Sequence, residues 1–165
     1  MEEQAARERE RRDRVFLVVV DDSTERAVAL RYAALRVRKS GGRVALLRVV
    51  EPVEGQTEWA GIGAIMAAEH MEAAETLLAG LADEVQKLGA GMPILIVREG
   101  RPVEQVLAVV GEDPRISILV LASATGSGGP GPLITALAGR AAGRLRAPMT
   151  IVPGGLDERE LERVT

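Results

Sequence analysis

Short apolar runs recur along this chain, and each of the first four is followed by a segment with helical periodicity. The runs span residues 15–20, 43–50, 93–100, 116–122 and 148–153. Apolar runs of about four to eight residues that alternate with helical segments are typical of parallel strands covered by helices on both faces. We therefore predict a doubly wound α/β fold with a five-stranded parallel sheet.

Right-handed crossovers leave few arrangements for such a sheet, and 3-2-1-4-5 is the common order for five strands. We predict this order with four flanking helices. The first begins at a capping box of Asp22 and Glu25, and the others lie near 64–89, from Pro102 onwards and near 132–146.

In this order the direction of winding reverses between strands one and four. Ligands of such sheets bind beyond the carboxyl ends of the strands at that point. Strand one ends at Asp21, and strand four leads into a glycine-rich loop at residues 126–131. We therefore expect a ligand site between Asp21 and this loop.

A length of 165 residues with 47% hydrophobic residues is enough for one domain with a full core. Residues 1–14 carry five acidic and five basic side chains with almost no apolar face. We expect a charged N-terminal arm at 1–14, a single domain at 15–153 and a charged C-terminal tail at 154–165. The arm and the tail are expected to be solvated segments or short helices.

Composition argues against several functional classes. A net charge of −3 and 2% aromatic residues argue against a nucleic-acid partner. The chain has no cysteine, and its only histidine is His70, so we expect neither disulfides nor a metal or catalytic centre of these residues. No apolar run approaches the roughly 18 residues of a membrane span, and the charged first residues are not typical of a secretory signal. We expect a soluble cytoplasmic protein without a membrane partner.

Five segments resemble the universal stress protein family over about residues 14–153. They are VVVDDSTERAVALRYA, VALLRVVEP, VREGRPVEQVL, ISILVLAS and APMTIVPG, and their order and spacing carry the resemblance. It implies a Rossmann-like fold of the HUP type and a homodimeric stress-response protein. It also makes ATP or AMP a candidate cofactor, because a subset of members binds ATP between the first and fourth strands.

The nucleotide-binding members share a motif of a glycine, two residues, a second glycine, nine residues, and a glycine followed by serine or threonine. Gly126, Gly129 and Gly139 have this spacing, but Arg140 stands where the hydroxyl residue belongs. This register would also shorten the last helix by about one turn. This register gives the alternative interpretation, in which the protein is an ATP- or AMP-binding member of the family that uses the loop 126–131.

Counting back from the fifth strand without gaps gives a second register, which we favour. The four motif positions then fall on Ala122, Thr125, Thr135 and Ala136, so neither the glycines nor the final hydroxyl are retained. Added β-carbons hinder the close approach of a phosphate to backbone amides. We therefore expect no cofactor and predict that ATP binds weakly or not at all.

The same loop has enough donors for a smaller anion. The side chains of Ser123 and Thr125 and the amides near Gly126 and Gly129 precede a helix N-terminus, which favours anions. The other interpretation is a flexible loop without a ligand, and both stay open.

Two further candidates come from the resemblance. Asp21 matches the aspartate that faces the adenine end of the family's site, and the other interpretation makes it an ordinary turn and cap residue. Val49 matches a family valine after the second strand and is expected in the core whether or not a ligand binds.

The functional prediction is a stress-response module for binding or regulation, which the sequence favours over an enzyme. No nucleophile, carboxylate pair or histidine relay converges on the loops. An enzyme that uses ATP on the same fold is one alternative. A degenerate phosphorelay receiver, suggested by VVVDDS, is another, but its acceptor aspartate is replaced by Arg98 and Glu99.

Two features point to contacts outside the core. Trp59, in the long loop 51–64, is either a lid over the core or a partner contact.

Strand five would lie at an edge of the sheet with unpaired amides, which favours pairing with a second copy. We expect a homodimer through this strand.

Overall fold

A computed structural model describes residues 1–53 and 60–165, so Trp59 and its predicted role lie outside the described residues. Five parallel strands form one sheet: β1 (Val15–Val19), β2 (Arg43–Val50), β3 (Ile94–Glu99), β4 (Ile116–Ser123) and β5 (Met149–Pro153). Their order is β3-β2-β1-β4-β5. The predicted fold class and strand order are confirmed.

The predicted number of four flanking helices is too low for the described part of the chain. That part contains six α-helices: α1 (Glu2–Asp13), α2 (Arg26–Ser40), α3 (Ala60–Lys87), α4 (Pro102–Glu112), α5 (Pro132–Ala138) and α6 (Glu158–Val164). The two additional helices, α1 and α6, form from the charged end segments. A short 3-10 helix follows α5 at Ala142–Arg144.

The helix predicted near 132–146 ends earlier, at Ala138. Gly139 has φ −98° and ψ −111°, which is outside the helical region. A Cβ at Gly139 would lie 2.8 Å from the carbonyl oxygen of Thr135. The chain therefore leaves the helix at this glycine and continues through the 3-10 turn.

Side chains alternate between two cores, one on each face of the sheet. On the first face Val18, Leu46 and Val120 are fully buried against α2 and α3. On the second face Leu17, Leu47 and Leu119 are fully buried against α4 and α5. Because both faces are covered, the strands are apolar along most of their length, which explains the continuous runs in the sequence.

The start of α2 differs from the prediction. No capping box forms between Asp22 and Glu25. Glu25 is itself the N-cap residue, and its side chain does not cap the helix. Both carboxylates contact other segments instead: Asp22 pairs with Arg48, and Glu25 contacts Thr125.

No helix in residues 1–53 or 60–165 combines the length and the apolar character that a membrane crossing requires.

Candidate functional site

A cavity of about 800 Å³ opens at the carboxyl edge of the sheet, where the winding direction reverses between β1 and β4. Its walls come from the ends of β1, β2 and β4, from one face of α3, from the start of α4, and from the segment that leads into α5. This is the place at which the strand order predicted a ligand site. The volume lies within the range of small-molecule sites.

The wall of the cavity next to the carboxyl ends of β1 and β2 is charged. Arg48 is only 20% exposed and donates to the carbonyl oxygen of Val20 (3.2 Å) and to a carboxylate oxygen of Asp22 (2.9 Å). The Arg26 guanidinium donates to the carbonyl oxygen of Asp21 at 2.9 Å. The two arginines thereby hold the chain as it leaves β1.

Asp21, a predicted site residue, lines the cavity and also organises the turn after β1. Its Oδ1 accepts hydrogen bonds from the amide and the hydroxyl of Ser23, at 2.9 and 2.5 Å. This is the local pattern of an Asx turn. Asp21 therefore acts as a turn residue, and its carboxylate is also exposed at the cavity.

Most of the other lining side chains are apolar. Val49, the other predicted residue, is half-buried and lines the cavity, as does Leu77 of α3. Val103 of α4 and Leu133 of α5 also line it. A bound molecule would therefore contact both a charged and an apolar surface.

The cavity meets the predicted loop 126–131 at the last residues of the loop and not at Gly126 or Gly129. Pro130, Gly131 and Pro132 line the cavity. Five predicted site residues from the end of β4 to α5 do not line the cavity: Ser123, Thr125, Gly126, Gly129 and Thr135. The amide of Ala124 donates to the carbonyl oxygen of Pro130 at 3.1 Å, which closes residues 124–130 into a turn. The glycines of this turn are exposed, with open space around them.

Two of the predicted hydroxyl groups are bound within the protein. The Thr135 hydroxyl donates to the carbonyl oxygen of Gly131 at 2.8 Å. The amide and the hydroxyl of Thr125 both donate to Oε1 of Glu25, at 3.2 and 2.9 Å. Hydrogen bonds from the backbone N–H of Glu25 itself and from Thr125 lower the pKa of this carboxyl group, so Glu25 is ionised at neutral pH.

Sequence reasoning did not place Arg26, Arg48, His70 and Arg140 in the site, although all four line the cavity. Arg48 had a visible signal, because it is the one charged residue inside the apolar run 44–50. Arg140 was noted only as a departure from the family motif. His70 is exposed on α3, and the described residues contain no group of three or more metal-binding side chains.

The sequence model of the universal stress protein family matches residues 14–153. The chain belongs to the universal stress protein family. The match extends from just before β1 to the end of β5 and so includes every wall of the cavity. No curated protein matches the chain.

Solved structures of this family have the same fold. The universal stress protein UspA from Lactobacillus plantarum is 14% identical, with a TM-score of 0.71 over 86% of this chain and 98% of its own. A universal stress protein in complex with cAMP is 17% identical, with a TM-score of 0.62 over 86% of this chain and 98% of its own. The protein from Archaeoglobus fulgidus in complex with dAMP is 23% identical, with a TM-score of 0.57 over 84% of this chain and 97% of its own.

Proposed function

We propose that this universal stress protein is a binding module for stress regulation whose cavity does not hold ATP through the family's glycine loop. One observation carries the proposal: the donors of Thr125 are bound to Glu25, and Gly126 and Gly129 do not line the cavity. A triphosphate needs several free backbone amides and hydroxyl groups directed at it. The loop does not supply that set.

The residues in the ungapped motif register support the same conclusion. Ala122 and Ala136 both line the cavity, so two of the four motif positions face a ligand there without a glycine or a hydroxyl group. The β-carbon of Ala122 limits the approach of a phosphate to the backbone. Ala136 has no side-chain donor for a phosphate oxygen.

A small anion or a nucleotide with one phosphate is the second candidate, and a specific observation favours it. Arg140, which follows α5, lines the cavity, as do Asp21 after β1 and Val49 of β2. A single guanidinium suits a single phosphate or carboxylate. The two relatives in complex with cAMP and dAMP hold nucleotides with one phosphate.

Titration calorimetry with MgATP, AMP and cAMP tests both statements. We expect ATP to bind weakly or not at all, and a dissociation constant in the low micromolar range would contradict the proposal. If AMP binds, Arg140→Gln should weaken its binding. Arg144→Gln is the matched control, because Arg144 is engaged by Glu104 at 2.8 and 3.0 Å and does not line the cavity.

The proposed module is a homodimer that pairs through β5 and acts without catalysis. β5 lies at the edge of the sheet, and Ile151 on it is 42% exposed.

For the catalytic alternative, release of phosphate from ATP by the purified protein is the measurement. Turnover above that of an Asp21→Asn variant would favour the enzyme.

A further inference from the structure

Glu25 joins the start of α2 to the loop that follows β4. Its Oε1 accepts two hydrogen bonds from Thr125, a residue 100 positions further along the chain. Its Oε2 accepts a hydrogen bond from the hydroxyl of Thr24 at 3.3 Å. Both carboxylate oxygens are therefore engaged, and the side chain spans two segments that are distant in sequence.

The contact between Glu25 and Thr125 fits only because the residue of a third segment that lies beside Glu25 is a glycine. Gly154, directly after β5, packs against the end of β4, and a Cβ on it would collide with the carbonyl oxygen of Ser123 and with Cγ of Glu25. At Gly155 a Cβ would meet only Cγ2 of Thr125, at 3.8 Å. Glu25, which is half-buried, thus lies between the loop after β4 and the turn after β5.

A carboxylate that accepts from a backbone amide and a neighbouring hydroxyl satisfies donors that an external anion could otherwise contact. Thr125 is also the residue that falls on the second glycine of the family motif in the ungapped register. The donors that a phosphate would need at this position are therefore satisfied by the protein's own side chain.

We propose that Glu25 is a specificity-determining residue that excludes polyphosphates, because its carboxylate holds the amide and the hydroxyl of Thr125. This inference rests on the proposed function and deepens it. Weak ATP binding then has a defined cause in addition to the lost glycines. A ligand without a polyphosphate chain does not compete with Glu25 and is unaffected.

The test compares Glu25→Gln and Glu25→Ala with the wild-type protein by calorimetry, using MgATP, inorganic tripolyphosphate and adenosine as probes. Glutamine keeps the size of the side chain and removes its charge, and alanine removes the acceptor. We expect both variants to bind MgATP and tripolyphosphate at least about tenfold more tightly, the value of one charge-assisted hydrogen bond. Adenosine affinity should not change.

Glu51→Gln is the matched control. The substitution also removes one negative charge, at a residue that lines the cavity, and leaves the contact between Glu25 and Thr125 intact. If Glu51→Gln gains the same polyphosphate affinity, the loss of one negative charge is enough to explain the effect. This result would overturn the proposal. The absolute ATP affinity of the wild type tests the proposed function, whereas the ratio of variant to wild type tests Glu25.

Amide hydrogen exchange by NMR gives a readout without a ligand. Exchange at the Thr125 amide should accelerate in Glu25→Ala, which removes the acceptor, and stay unchanged in Glu51→Gln. If the Thr125 amide is released but polyphosphate affinity is unchanged or undetectable in both variants, Glu25 does not control specificity. Unchanged exchange would show that Glu25 does not hold the loop, and this result also overturns the proposal.

Discussion

At the scale of single residues, Gly154 is the position with the least space for a side chain. A Cβ there would collide with the Ser123 carbonyl oxygen and with Glu25. We expect Gly154→Ala to destabilise the protein by roughly 2 kcal/mol, because the end of β4 or the start of α2 must move to accept the methyl group. Urea unfolding followed by circular dichroism measures the change.

Gly155→Ala is the control for this prediction. The adjacent glycine would place its Cβ at an ordinary contact distance, 3.8 Å from the nearest side-chain atom of Thr125. We expect a change within about 0.5 kcal/mol, as for most exposed positions. Equal losses for the two variants would show that the whole turn, rather than the space at residue 154, sets the stability.

At the scale of elements, the two charged ends of the chain differ. α1 has no buried residue. α6 buries Leu161, 2% exposed, against the core that includes α2, and begins with a capping box of Asp157 and Glu160. Glu162 of α6 also pairs with Arg38 and Lys39 of α2. One apolar side chain together with these ion pairs makes α6 a part of the domain.

We predict that α1 is dispensable for folding. Deletion of residues 1–13 should change the melting temperature by only a few degrees, because none of the residues of α1 is buried. Thermal unfolding followed by circular dichroism is the measurement. A decrease of about ten degrees or more would show that α1 packs on the domain or on another subunit.

The end point of the deletion matters, because Arg14 contacts the domain. Its carbonyl oxygen accepts the Arg43 amide at 2.8 Å, and its guanidinium lies 5.9 Å from the centre of the Phe16 ring. The charged arm predicted at 1–14 therefore includes one residue with structural contacts. Deletion of residues 1–14 should lower the melting temperature more than deletion of 1–13.

At the scale of the whole molecule, β5 offers a free edge for dimer formation. The Leu119 amide donates to the Pro148 carbonyl, and Leu119 pairs with Met149. In a parallel ladder this directs the Thr150 amide towards β4 and the Ile151 amide outwards. Ile151 thus supplies both an outward donor and an exposed apolar side chain to a second copy.

We predict that Ile151→Pro abolishes the dimer, because proline removes this donor while an edge strand tolerates it. Sedimentation velocity at tens of micromolar measures the mass. Ile151→Ala, which keeps the amide, should still form a dimer. A monomeric wild type, or an Ile151→Pro dimer of unchanged affinity, would place the interface elsewhere or exclude it.

The sequence by itself determined the sheet, its strand order and the position of the cavity. The apolar runs mark every strand, since strands covered on both faces must be apolar along their length. The handedness of the crossovers leaves few strand orders, and the observed order is the common one for five strands. Asp21 and Val49 were candidates because of the family resemblance, and both line the cavity near the ends of β1 and β2.

Only the tertiary structure decided which loop residues face the cavity. Composition identified the glycine-rich loop, but the hydrogen bond between Ala124 and Pro130 turns Pro130 and Gly131 towards the cavity and leaves Gly126 exposed. The direction of each amide in a loop depends on contacts with distant segments. The contact between Glu25 and Thr125 joins residues 100 positions apart, so local patterns predicted a helix cap for Glu25, and only packing showed its other partner.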